Sequence, residues 1–288
     1  MPPLAPQHFI LPLPTFFDVK GGLDLASQEW LIDGVNATLV VDVVLFGSTG
    51  EMPALSTSEC HRLLRQADAL LDPRIRLHLG TGLLSPDDAA TLARTSRRPI
   101  ASLLHYPNLY YRDFPFHPEE YRRFTLAAGA PLTLYHLPKT TGFGFSPERL
   151  SRLAGAGVPL HAVKVSQEPI GEVAKWKRDD LYRLWWGSER ECQRALDGGA
   201  EAIVSQLIAF FPEWIAAGDM NLAQRRITLL KTHVDREIGP EYKIGFLKAV
   251  RRALGGPNTG AVLPPARPWT AECPATLLEA LRGQERDV

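Results

Sequence analysis

The stretch VPLHAVKVSQ, residues 158–167, runs apolar residues up to a single lysine, Lys164, placed where a short buried strand ends. An ionised lysine at such a place carries a desolvation cost of several kcal/mol unless it is paired or reaches water. In its neutral form the same side chain is a nucleophilic amine that can form a Schiff base with a ketone. Taken alone, a snorkelling or salt-bridged lysine is the plainer reading. What decides between them is the company the rest of the chain brings to this strand end.

Outward from that run, short apolar, β-branched segments alternate with longer ones whose apolar residues recur at helical spacing, such as ECHRLLRQADALL and PEEYRRFTLAAG. Eight segments read as strands: 8–13, 41–46, 74–80, 99–104, 131–136, 159–164, 183–187 and 201–205. Ser56 with Glu59 forms a capping box, and Ser85-Pro86 and Ser146-Pro147 each read as an N-cap followed by proline in the first turn. Gly129, Gly155 and Gly198 fall where helices should stop. Eight strand–helix units in strict alternation predict an α/β fold with a parallel sheet closed as a (β/α)8 TIM barrel. An open doubly wound sheet is the competitor, but no GxGxxG follows an early strand. After residue 205 the pattern is helical only, over 209–232, 241–254 and about 270–283. Residues 1–208 are therefore expected to form the barrel, and residues 209–288 a C-terminal helical extension packed on it. A stretch of ~80 residues with few strand signals is thin for a separate core.

The totals exclude several classes. The 288 residues carry 32 basic and 32 acidic side chains with no block of like charge, so no nucleic-acid or membrane-surface partner is expected. No apolar run approaches the ~18 residues of a membrane-spanning helix. The proline-broken start, MPPLAPQHFILPLP, does not read as a signal peptide. Cys60, Cys192 and Cys273 are far apart and odd in number, which suits a reducing cytoplasm rather than a disulfide framework.

In such a barrel the working residues sit at the C-terminal ends of the strands. After the second strand comes GSTGE, residues 47–51, where two glycines allow a tight turn that can aim N–H groups at a carboxylate. A plain strand-to-helix turn is the bland alternative. The loop after strand four holds Tyr106, Tyr110 and Tyr111, and strand five ends in LYHLPKTTG with Tyr135. A lone tyrosine is usually packing with a hydrogen-bonded tip. Tyr135 and Lys164 on neighbouring strand ends would place a proton-transfer group beside an amine. The histidines offer a rival, a catalytic metal at strand ends. If Tyr135 and Lys164 face the barrel mouth, however, alternation turns His136 and His161 toward the helices. That leaves His78 and His105 without an HxH or HExxH partner, so no metal is expected.

Together, GSTGE, the pair Tyr110-Tyr111, Tyr135 followed by the proline turn to Gly142, the lysine in VKVS, and GSERECQRALDGGAEAIVS resemble the dihydrodipicolinate synthase/N-acetylneuraminate lyase family. The likeness runs in register from about residue 8 to residue 270 and includes the late VLPPARP. The resemblance implies a homo-oligomer, dimer or tetramer, acting on a small-molecule 2-keto acid with neither metal nor cofactor beyond a covalent imine on Lys164. It implies that Tyr135 shuttles the proton, with Thr49 and a tyrosine of the 110–111 pair, Tyr111 by preference, completing the relay. Ser48 and Thr49 N–H groups would hold the keto-acid carboxylate, and Val204 would line the pyruvate pocket.

Departures from the family pattern bear on the substrate. Dihydrodipicolinate synthases usually carry an arginine at the position of Thr140 to bind the second substrate's carboxylate; here Thr140 stands there, with Lys139 beside it. The acidic residue common just after the active lysine is replaced by Val165-Ser166-Gln167, and the tyrosine loop is longer than usual. The expectation is a Schiff-base lyase, aldolase or dehydratase for a 2-keto-3-deoxy sugar acid or 4-hydroxy-2-oxo acid. The alternatives are a true dihydrodipicolinate synthase condensing pyruvate with aspartate semialdehyde, and a keto-acid-binding homologue without turnover.

Overall fold

Parity along the strands organises this protein. In a computed structural model, which describes residues 3–81, 84–105, 118–178, 180–257 and 260–283, eight parallel strands close into a barrel in sequence order. They are β1 (Phe9–Pro12), β2 (Asp42–Leu45), β3 (Arg76–Gly80), β4 (Ile100–His105), β5 (Leu132–His136), β6 (Leu160–Val165), β7 (Arg183–Trp186) and β8 (Ala202–Val204). Each falls within a residue or two of its expected place. Alternate residues divide between two apolar clusters. Ile10, Val44, Leu104, Tyr135, Ala162, Trp185, Ala202 and Val204 fill the inside. Leu11, Val43, Leu103, Leu134, Val163, Trp186 and Ile203 join the larger core between barrel and helices. Strands buried on both faces need apolar residues at every position, which is why they read as short continuous runs. Each Val or Leu so buried contributes about 1.5–3 kcal/mol.

The expected caps form. Ser56 accepts from the Glu59 N–H while Glu59 reaches back to the Ser56 N–H at 2.8 Å, and Ser85 and Ser146 accept from Asp88 and Arg149. Each such cap contributes about 1 kcal/mol. The expected helix over 209–232 is broken. Short helices Gln206–Phe210 and Glu213–Ala216 precede the long helix Met220–Glu237. Pro212 has no N–H to continue the first helix. Gly218 then takes φ +80°, and Asp219 caps the next helix through the Leu222 N–H at 2.9 Å. Helices Lys243–Ala253 and Ala275–Gly283 follow.

The floor of the barrel is polar. Asp42 accepts from Arg76 Nε at 2.7 Å and contacts His78 Nε2 at 3.0 Å. His78 Nδ1 meets Ser102 Oγ at 2.7 Å, and Ser102 meets Thr133 Oγ1 at 2.6 Å. His161 departs from simple alternation: its ring lies 5.3 Å from that of His78 and 5.6 Å from Trp185, inside the floor rather than toward the helices. The cause is a bulge. The β5–β6 register jumps from Leu132↔Leu160 to Thr133↔Ala162, leaving His161 as the extra residue and resetting the parity downstream.

Burial alone would raise the Asp42 carboxyl, but hydrogen bonds from His78 and Arg76 outweigh it and hold the group at about 2. Burial lowers His78, against the pull of Asp42, and lowers His161 to about 4, aided by the His78 and Arg183 charges. All three act in one direction. A carboxylate whose folded value lies below its unfolded one contributes stability above about pH 4, lost as pH falls toward 2; for Asp42 this is roughly 2 kcal/mol. A histidine kept neutral by burial is protonated more readily in the unfolded chain, so stability falls as pH drops below the ordinary value of 6.5. The melting temperature should therefore decline steadily from pH 7 to pH 4. In His161→Phe that slope should be shallower; parallel curves for the two proteins would contradict this account of the floor.

Candidate active site

Tyr135 and Lys164 are direct neighbours in the β5–β6 ladder, one residue short of the C-terminal end of each strand. The Lys164 Nζ lies 4.0 Å from the centroid of the Tyr135 ring. Both residues are buried, Lys164 with 7% of its surface exposed. Among the described residues no carboxylate pairs with Lys164; the aromatic face is its electrostatic partner, an interaction of about 0.5–2 kcal/mol. The bland reading, a salt-bridged or snorkelling lysine, does not fit that environment. Ser166, two residues past Lys164 and just beyond the end of β6, donates its hydroxyl to the Tyr135 phenol oxygen at 3.3 Å. Gly187 makes room for it, since a Cβ there would sit 1.8 Å from Ser166 Oγ.

The GSTGE turn closes the opposite side. Its amides at Gly50 and Glu51 donate to the carbonyls of Gly47 and Ser48, at 3.0 and 3.3 Å. The N–H groups of Ser48 and Thr49 have no acceptor among the described residues, which is the pattern an anion nest requires. Gly80 lets the turn approach β3: a Cβ on it would fall 2.1 Å from the Phe46 carbonyl oxygen. Thr49 is buried, and its hydroxyl accepts from Gln206 Nε2 at 3.1 Å. Gln206 opens the short helix after β8, and Glu189 of the GSERE segment holds that helix start by accepting from the Gln206 N–H at 2.6 Å. Burial raises the Glu189 carboxyl, opposed by Lys243 and the Gln206 and Leu207 amides. Val204 ends β8 inside the barrel, in the same apolar cluster as Tyr135.

Lys139 and Thr140 sit on the exposed four-residue helix Pro138–Thr141 after β5. Gln167 clips it, with Oε1 accepting from the Lys139 N–H at 2.8 Å and Nε2 donating to Thr140 Oγ1 at 3.0 Å. Gln167 itself takes φ +71°, an uncommon backbone for a residue with a side chain. The buried Thr141 spends its hydroxyl on the Leu137 and Phe143 carbonyls, at 3.0 and 2.7 Å. Tyr106, Tyr110 and Tyr111 lie outside the described residues.

Apart from His78 and His161, which meet on the barrel floor, the described histidines of the strands do not converge. His78 is on the floor, His105 packs against Tyr121 and Phe124, and His136 pairs with Glu168 at 2.8 Å over the Trp176 ring. Among the described residues no three His, Cys, Asp or Glu side chains are grouped to hold a metal ion, and no helix is long and apolar enough to cross a membrane. Ser166, Gln206 and Glu189 are the site neighbours that the sequence reading passed over. Ser166 carried a signal in its two-residue offset from Lys164, and Glu189 in its place within GSERECQRALDGGAEAIVS.

Comparison with known proteins gives a consistent result. The profile of the Dihydrodipicolinate synthetase family matches residues 5–281. A 4-hydroxy-tetrahydrodipicolinate synthase of Exiguobacterium sp. is 27% identical over 283 residues, covering 93% of this chain and 94% of that protein. An uncharacterized DapA-like lyase of Chloroflexus aurantiacus is 27% identical over 263 residues, covering 82% of this chain and 77% of that protein. Among solved structures, YagE of E. coli K12, a member of the dihydrodipicolinic acid synthase family crystallised with pyruvate, superposes with a TM-score of 0.82 at 18% identity, covering 97% and 98% of the two chains. Proteus mirabilis N-acetylneuraminate lyase gives 0.76 at 20% identity and 97% of each.

Proposed function

This chain belongs to the dihydrodipicolinate synthetase family of class I aldolase-type lyases, and from that premise we propose that it works on pyruvate or another 2-keto acid bound as an imine on Lys164. The observation that carries this reading is the buried, carboxylate-free pairing of Lys164 with Tyr135 at adjacent strand ends. The substrate carboxylate lies on the Ser48 and Thr49 N–H groups, which brings its keto carbon to the lysine. The neutral amine adds to that carbon, and the carbinolamine loses its oxygen as water to leave a protonated imine. That cation draws electrons from the adjacent carbon, so a carbon–carbon or carbon–oxygen bond β to it can break or form at neutral pH. Tyr135 gives and takes the protons these steps need. Its phenol oxygen accepts a hydrogen bond from the Ser166 hydroxyl at 3.3 Å, which fixes its position. Thr49, held by Gln206, and Tyr111 complete the relay, and Val204 lines the pocket.

The substrate tail is the finer part of the proposal. A guanidinium grips a carboxylate through two parallel N–H bonds, which a hydroxyl cannot imitate. Losing such a charged contact costs on the order of 2–5 kcal/mol. With Thr140 at that position, a hydroxylated 2-keto acid is the better fit. The neighbouring Thr141 offers the substrate no such partner, because its hydroxyl is committed to backbone carbonyls. Lys139 is the residue that favours the second reading, a true synthase: it is exposed and, among the described residues, pairs with no carboxylate. Side-by-side kcat/KM values are expected to favour 2-keto-3-deoxy sugar acids or 4-hydroxy-2-oxo acids over pyruvate with aspartate semialdehyde by at least about tenfold. Efficient semialdehyde condensation that collapses in Lys139→Ala would reverse the substrate assignment.

A further inference from the structure

Beneath the carboxylate nest lies an ion pair that the chemistry above does not use. The last residue of GSTGE, Glu51, pairs with Lys248 of the helix Lys243–Ala253, 197 residues away in sequence. Both side chains are enclosed, with 3% and 0% of their surface exposed. The second Glu51 oxygen accepts from the Leu263 N–H at 3.2 Å, and Lys248 Nζ also donates to the Ala261 carbonyl at 2.8 Å. The pair therefore joins three segments: the nest turn, a C-terminal helix, and the late segment that carries VLPPARP. The Phe17 ring closes it from the side, 4.8 Å from Nζ.

An ion pair taken out of water is rarely kept for stability alone, since two apolar side chains of the same volume often serve as well. Its position suggests what it is for. Glu51 adopts φ +53°, the left-handed region that side chains disfavour, and its own N–H donates to Ser48. Reversing the chain there leaves the Ser48 and Thr49 amides outside the turn's own hydrogen bonds. Backbone bonds also fix the turn, with the Ala54 N–H donating to the Glu51 carbonyl at 2.9 Å and Thr15 Oγ1 to the Gly50 carbonyl at 2.7 Å, while the Glu51 side chain ties it to the C-terminal helix. Burial pushes the Glu51 carboxyl up and the Lys248 ammonium down, each opposed by the other's charge, so loss of one leaves its partner driven toward the neutral form.

We propose that the buried Glu51–Lys248 pair is a positioning device: it anchors the left-handed residue that ends the GSTGE turn and so aims the Ser48 and Thr49 N–H groups at the substrate carboxylate. This rests on the imine reading given above. The C-terminal helix then contributes to recognition of the keto acid without touching it, and its contribution is confined to substrates that carry the carboxylate.

The test compares pyruvate with methyl pyruvate, which keeps the reactive ketone and lacks the anionic carboxylate. Borohydride-trapped labelling of Lys164 is measured against the concentration of each. In Lys248→Met the half-saturating pyruvate concentration should rise by about tenfold or more, with the labelling rate at saturation and the whole methyl pyruvate curve unmoved. The double variant Glu51→Gln/Lys248→Met leaves no uncompensated buried charge. It should fold, by circular dichroism and melting temperature, and show the same split; it decides the matter if the single variant is unstable. Curves for the two ketones that shift together, or a pyruvate curve that does not shift, would overturn the positioning role. Failure of the unaltered protein to be labelled at Lys164 is a different result and would remove the imine reading itself.

Discussion

Replacing Lys164 by alanine is expected to abolish turnover of every 2-keto acid, lowering kcat by roughly 10⁴-fold or more, the scale on which removal of a covalent nucleophile is felt. The fold should survive. Lys164 donates to no described carboxylate, so its removal strands no buried charge, and the space left opens on the barrel mouth rather than in the sealed core. A loss of activity with an unchanged melting temperature therefore separates chemistry from stability. Full activity in this variant would mean that another amine, or no amine, carries the reaction. Among the described residues Lys248 is the other buried lysine, but its Nζ is taken by Glu51 and the Ala261 carbonyl.

Tyr135→Phe is expected to lower kcat by roughly 10²–10⁴-fold, the usual contribution of a positioned general acid–base group. Phenylalanine keeps the ring that faces the Lys164 Nζ at 4.0 Å, so packing and affinity for pyruvate should persist. What disappears is the oxygen that meets Ser166 and moves protons. The diagnostic pattern is a large fall in kcat with little change in the half-saturating concentration of pyruvate. Near-normal turnover would place the proton route elsewhere.

Much of the frame is legible in the sequence. Strands buried on both faces write themselves as short apolar runs, and the neighbourhood of Tyr135 and Lys164 follows from consecutive strands pairing in register. What could not be read has physical causes. The bulge at His161 depends on how β5 and β6 slide past each other, and a single strand's pattern does not contain that; alternation therefore sent His161 to the wrong side. Helical periodicity over 209–232 runs through Pro212 and Gly218, local breakers that outweigh it. Gln206 and Glu189 reach Thr49 and the helix start through contacts 157 and 17 residues apart in sequence, and only the closed barrel brings them together. The same is true of Gln167, whose left-handed backbone lets one side chain hold both Lys139 and Thr140.

One measurement decides directly whether Lys164 is the residue that bonds to substrate. The protein is incubated with pyruvate, reduced with borohydride, digested and mapped by mass spectrometry. Reduction should inactivate the protein only when pyruvate is present and add the mass of one reduced pyruvate to the peptide containing Lys164, with none on that containing Lys139 or Lys248. A label on another lysine, or inactivation without any label, would contradict the account.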